Sequence, residues 1–177
     1  MGLVAMLQQD AEAVYRATAG LSRMVDDLEW KPPIGRNWMT TAQLLMHCAD
    51  ACGGGVKGFV TGQWPTPPEA GDGSGEGTLP SAAQMPSVAS VDEALALLAE
   101  DKALAIKLFA EAGEDRLANE RSSAPWGGPE RTLYQHCNEM IWHLGQHKGQ
   151  LFYYLKLQGK DVNTMHLWMG GAGPEDS

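Results

Sequence analysis

Two histidines four residues apart, His143 and His147, carry the clearest chemical signal in the chain. On an α-helix this spacing puts both imidazoles on one face, one turn apart. Two neutral rings so placed can bind one divalent transition metal from the same side. Such an ion needs further ligands, and His47, in a separate helical stretch, is the best third candidate. The central expectation is therefore a three-histidine metal site, His47, His143 and His147, inside a helical bundle and with at least one coordination position open. An isolated HxxxH pair also fits solvated or core histidines. Its placement favours the metal: His136, Met140, His143, His147, Gln150, Tyr154 and Leu157 follow a 3–4 rhythm, the pattern of a seam facing a partner helix. Ring nitrogens on a buried seam need partners, and one ion satisfies several at once.

Three neutral nitrogens leave a tetrahedral Zn²⁺ one vacancy and an octahedral Ni²⁺ several. An ion held this way can lower the pKa of water towards about 7 for hydrolysis, or bind a small-molecule thiol as the nucleophilic thiolate. Affinity order and availability, not sequence, choose between zinc, nickel, manganese and iron. The ligand rings need partners of their own to fix their orientation. Gln150, Glu139, Asp50 and Asp10 are candidates. Glu139, one turn before His143, could act as an acid–base group, although a solvated helix carboxylate is the plainer reading. Asp10 interrupts an apolar stripe and reads more simply as a surface or network carboxylate. His136 lies about 10 Å along the helix axis from His143, too far to share its ion, and fits a core or rim histidine. His166 could approach the mouth of the site from the C-terminal turn. Cys48, Cys52 and Cys137 offer a rival thiolate site, but they lie off the histidine seam and fit small buried hydrophobes better.

Four helical stretches are available to position these groups. The first covers residues 3–28, with Leu3, Leu7, Val14, Leu21 and Leu28 in a 3–4 rhythm. Pro32, Pro33 and Gly35 break the connector that follows, where Trp30 and Trp38 should pack against the bundle end. The second helix covers 40–60, capped by Thr40 or Thr41. Its Gly53-Gly54-Gly55 run either ends the helix or lets a neighbour approach closely before Val56–Val60 resumes. Residues 61–90 form a long Gly/Pro-rich loop, either a disordered excursion or a flap over the open end of the bundle. The third helix covers 91–112, opened by the capping-box pair Ser90 and Glu93 and stopped by Gly113. Residues 114–131 form a second connector around Trp126. The fourth helix covers 132–158, and Asp161–Met169 can hold a short terminal turn. The expected class is all-α, a four-helix bundle, within a single domain spanning 1–177.

Composition narrows the function. A formal net charge of −9 and the lack of any basic cluster argue against nucleic-acid binding. No apolar run is long enough to span a membrane. The N-terminus lacks the basic start and continuous apolar core of a signal peptide, and the odd cysteine count fits reduced thiols, so the expected location is cytoplasmic.

Two segments, LLMHCAD (Leu44–Asp50) and HLGQHKGQL (His143–Leu151), resemble the DinB-like superfamily, which includes the YfiT-type metal-dependent hydrolases. The second is the more specific, because HxxxH is followed closely by Gly149-Gln150. The tail NTMHLWMG also resembles the family's closing segment, so the likeness covers nearly the whole chain. The resemblance implies up-down-down-up connectivity and a divalent metal, usually zinc or nickel, held by His47, His143 and His147. It also implies a homodimer and a small-molecule substrate. Thiol S-transferases that use bacillithiol or mycothiol, and a mycothiol-dependent isomerase, belong to the family. The competing expectations are a non-catalytic, metal-stabilised dimeric bundle and a bundle whose histidines are merely packed.

Overall fold

A computed structural model describes residues 1–64 and 81–171. Its helices are α1 (Leu3–Ser22), α2 (Thr41–Cys48), α3 (Gly53–Thr61), α4 (Val91–Asn119), α5 (Leu133–Leu157) and α6 (Thr164–Met169). A short 3₁₀ turn at Ala82–Gln84 and a two-stranded hairpin, β1 (Arg121–Ser122) and β2 (Arg131–Thr132), complete the regular structure among the described residues. Residues 65–80, most of the expected Gly/Pro-rich loop, lie outside the described part of the chain.

The direction of each helix follows from its contacts. Leu3 N–H donates to Glu114 at one end of α1, while Tyr15 and Glu12 meet Asp101 and Lys102 further along, so α1 and α4 are antiparallel. Gly53 meets Asp101, and the Val60 carbonyl accepts from Arg116, so α3 runs parallel to α4. His47 meets His147, Ala51 meets His143 and Phe59 stacks on His136, so α2 and α3 run antiparallel to α5. With α2 and α3 taken as one arm, the bundle is up-down-down-up.

Three helix boundaries differ from the sequence expectation. α1 ends at Ser22 rather than residue 28. Asp27 Oδ1 accepts from the Glu29 and Trp30 N–H groups at 3.1 Å, an Asx turn that competes with helix. The Leu28 and Trp30 carbonyls then accept from Ala42 and Thr41 at the start of α2, both at 2.8 Å, which a continued helix would prevent. The second stretch breaks at residues 49–52 into α2 and α3, with the three glycines opening α3 rather than closing a helix. The third stretch does leave helical geometry at Gly113 (φ 71°, ψ 168°), a conformation reserved for glycine. The chain restarts beyond it because residues 114–119 have work to do. The Glu114 carboxylate caps the free N–H groups of Leu3 and Val4, and Leu117 is buried in the core.

Local signals at other ends behave as expected. Thr132 and Gln135 form a reciprocal capping box at the start of α5. Ser90 accepts from Glu93 N–H, but Glu93 reaches back to Ala89 rather than to Ser90 itself. Trp30 packs edge-on against Tyr154 at 5.2 Å, tying the first connector to the bundle end. No helix among the described residues is long and apolar enough to cross a membrane.

Candidate metal centre

The core stripe of α5 is Cys137, Ile141, Leu144, Lys148, Leu151 and Leu155. The histidine seam runs one position to its side. His143, His147 and Gln150 are therefore half-buried on the flank facing α2, and the seam ends at Tyr154, because Leu157 is exposed. That offset keeps the rings off the dry centre of the bundle while the helix spacing still stacks them.

His47, His143 and His147 converge. His47 Nε2 lies 3.0 Å from His147 Nε2, which lies 3.1 Å from His143 Nε2. One nitrogen from each ring falls within 4.8 Å of the others, and among the described residues this is the one group of three or more histidine, cysteine or acidic side chains that could hold a metal ion. Nitrogens about 2.0–2.1 Å from a tetrahedral ion sit roughly 3.3 Å apart, and at octahedral right angles roughly 3.0 Å. The two spacings through His147 are close to both.

The far side of each α5 ring fixes its proton. His143 Nδ1–H donates to the Ala51 carbonyl at 3.0 Å. His147 Nδ1–H donates to Gln150 Oε1 at 3.0 Å; the Gln150 amide donates to the Tyr154 hydroxyl at 3.3 Å, and that hydroxyl donates to the Met39 carbonyl at 3.0 Å. In the neutral rings, both Nε2 atoms therefore carry lone pairs, and these face each other across 3.1 Å with no hydrogen between them. The mismatch calls for an electrophile, and the carbonyl and amide partners are the supports a metal-bound imidazole uses. Burial, followed by the neighbouring histidines, pushes His47 down to about 4. Burial also lowers His147, partly offset by its bond to Gln150. Both effects favour the neutral, metal-binding form.

A cleft of about 700 Å³ opens onto His47 and His143. Trp64, Trp126, Trp142, Asp50, Glu139 and Met140 line the rest of it. Of the four proposed supporting residues, Gln150 touches a ligand ring. Asp50 lies on the cleft wall, in contact with solvent, yet the surrounding protein desolvates its carboxylate enough to raise its pKa. Glu139 pairs with Arg131 at 2.8 Å on the rim. Asp10 lines a separate cleft between α1 and α5.

The other candidates also stand apart from the three-histidine group. His136 is buried, stacks on Phe59 at 4.1 Å and donates to the Ser122 carbonyl at 2.9 Å. His166 helps cap α6 beside Asn163. Cys48, Cys52 and Cys137 are buried free thiols, each pushed up to about 12 mainly by burial.

Asp101 is the residue that sequence reasoning missed. It is buried on α4, where Ala94, Leu98, Ala105 and Leu108 carry the apolar stripe on either side of it. Its carboxylate accepts from the Tyr15 hydroxyl at 2.6 Å and from Gly53 and Gly54 N–H at 2.9 and 3.2 Å, capping the N-terminus of α3. A Cβ on Gly53 would overlap that carboxylate. This contact stabilises the break after α2, and the same break turns the Ala51 carbonyl towards His143. The visible signal was an acidic residue inside an apolar stripe together with a glycine run.

An up-down-down-up helical bundle with three converging imidazoles on its second and last arms is a DinB-type arrangement. The DinB superfamily model matches residues 6–151, most of the chain, and the protein belongs to that superfamily. No curated protein matches the sequence.

Proposed function

We propose that the protein is a divalent-metal-dependent enzyme of the DinB type, with Zn²⁺ or Ni²⁺ held by His47, His143 and His147 and a small molecule admitted through the tryptophan-lined cleft. The observation that carries this reading is the pair of locked tautomers: Ala51 and Gln150 hold the α5 rings so that two lone pairs converge with no proton to share. When bound, such an ion supplies Lewis acidity, enough to ionise a water for hydrolysis or a low-molecular-weight thiol for S-transfer near neutral pH.

The chain's own groups do the rest. Ala51 and Gln150 hold the ring planes, and Tyr154 holds Gln150 by anchoring to the Met39 carbonyl. Among the described residues, Asp50 is the unpaired carboxylate on the cleft wall and so the group placed to exchange a proton, and desolvation raises its pKa. The cleft opens His47 and His143 to solvent, and that opening favours a catalytic site over a closed structural one.

Elemental analysis of untagged protein tests the reading. About one metal per chain is expected, lost in His143→Ala and His147→Ala. Stoichiometric metal retained in both variants would overturn the ligand set. Metal binding without turnover on water-labile esters, amides or thiol–electrophile pairs would favour the non-catalytic, metal-stabilised dimer.

A further inference from the structure

The outer half of the cleft has a composition of its own. Trp64 and Trp126 meet edge to face, ring centroids 5.7 Å apart and planes at 82°, and form an aromatic corner backed by Phe59. Trp142 lines the same cleft. Trp126 and Trp142 remain 63% and 68% exposed, so large π-faces stand open beside a polar floor. The charged side chains lining the cleft are Asp50 and Glu139; no lysine or arginine lines it among the described residues. The nearby Arg131 guanidinium is engaged by Glu139. The chain as a whole carries a formal charge of −9.

An aromatic face is electronegative and poorly hydrated, and a carboxylate beside it adds to the same field. Such a surface favours a cation whose charge is spread over alkyl groups, because that cation loses little hydration when it meets the rings. Anions meet repulsion there, and uncharged groups gain only from burial. We infer that the outer cleft is an onium subsite: the ligand is a small molecule with an alkylated ammonium group in the Trp64–Trp126 corner, Asp50 as its counter-charge, and a donor group at its other end directed to the histidines. The donor end rests on the metal reading, whereas the onium end rests on the tryptophans and Asp50 alone.

Calorimetric titration of the full chain, metal-loaded and metal-free, with choline and with its uncharged isostere 3,3-dimethylbutan-1-ol tests this directly. The two probes share shape and differ in charge. Choline is expected to bind at least about tenfold more tightly than the isostere. Trp126→Leu should weaken choline about fivefold or more and the isostere less, with Trp126→Phe recovering most of the loss. Asp50→Asn should lower choline affinity several-fold and leave the isostere unchanged. Trp126 is exposed, so its replacement leaves the core intact, and thermal melting of each variant verifies folding. Equal affinity for the two probes, or no choline binding, overturns the subsite. Elemental analysis of the same preparations separates the two readings. Choline selectivity in protein that cannot be loaded with stoichiometric metal overturns the metal reading and leaves the subsite. Metal-loaded protein blind to the charge difference does the reverse.

Discussion

Two polar clusters flank the break between α2 and α3. On one side, the Asp101 carboxylate takes hydrogen bonds from Tyr15, Gly53 and Gly54. On the other, His47, His143 and His147 bring three ring nitrogens together, two of them as opposed lone pairs. Both clusters join separate helices, but the first is buried with its donors matched to acceptors, whereas the second borders the open cleft and sets two lone pairs against each other. A matched cluster holds the fold together and asks for nothing more. A mismatched one costs free energy until a ligand completes it. The balance of donors and acceptors, together with the opening to the cleft, marks the functional cluster.

Removing one member from each cluster should expose the contrast most strongly. His143→Ala should weaken metal binding by over about 10²-fold, taking roughly 3 kcal/mol per ligand. In metal-free protein the same change should leave stability within about 1 kcal/mol of wild type, because it removes one of the opposed lone pairs. Asp101→Ala should do the opposite. It strands three donors and should cost about 3 kcal/mol or more with or without metal, a fall of roughly 6–12 °C in Tm for a chain of this size. Melting curves with and without added Zn²⁺ read both. Equal losses of metal-free stability in the two variants would erase the distinction.

Gln150→Leu isolates the support of one ligand ring. It should reduce metal affinity about 10–100-fold, measured by competition with a chromophoric chelator, because His147 loses the partner that fixes its tautomer. An unchanged affinity would remove Gln150 from the site.

Acid should separate the clusters by sign. In metal-free protein the folded state holds His47 down to about 4, whereas an unfolded histidine titrates near its ordinary value of 6.5. Protons therefore favour the unfolded chain in that window, and the contribution of His47 is complete above pH 6.5 and lost as pH falls towards 4. Burial raises the Asp101 pKa, so the folded chain takes up that proton first and this group opposes the loss as pH falls. His47→Ala should flatten the acid decline of metal-free Tm between pH 6.5 and 4, and Asp101→Asn should steepen the decline at its lower end. Identical pH profiles for the two variants would contradict the assignment. The smallest effect belongs to Tyr154→Phe, which removes the anchor two bonds from the ring; a loss of a few-fold in metal affinity is expected in the same chelator assay.

Much of this was legible in the residues. Thr132 with Gln135 marks the start of α5, and from there a 3.6-residue period leaves His143 and His147 no choice but to stack. His47 as their third member also followed from its helical neighbourhood. The Asp101 contact was hidden because an acidic residue within an apolar stripe looks the same whether it reaches solvent or caps another helix.

By itself, then, the sequence determined the helices, their strongest caps and the pairing of two imidazoles, since these depend on contacts a few residues apart. Tertiary structure decided where α1 stops, that the second arm breaks at residues 49–52, that α4 resumes beyond Gly113, and which nitrogen of each α5 histidine carries its proton. Each of those outcomes depends on which distant group satisfies a free N–H or carbonyl. Glu114 reaches α1 across 111 positions, Asp101 reaches Gly53 across 48, and Ala51 meets His143 across 92. Local propensity carries no record of such partners, because they become neighbours only when the bundle closes.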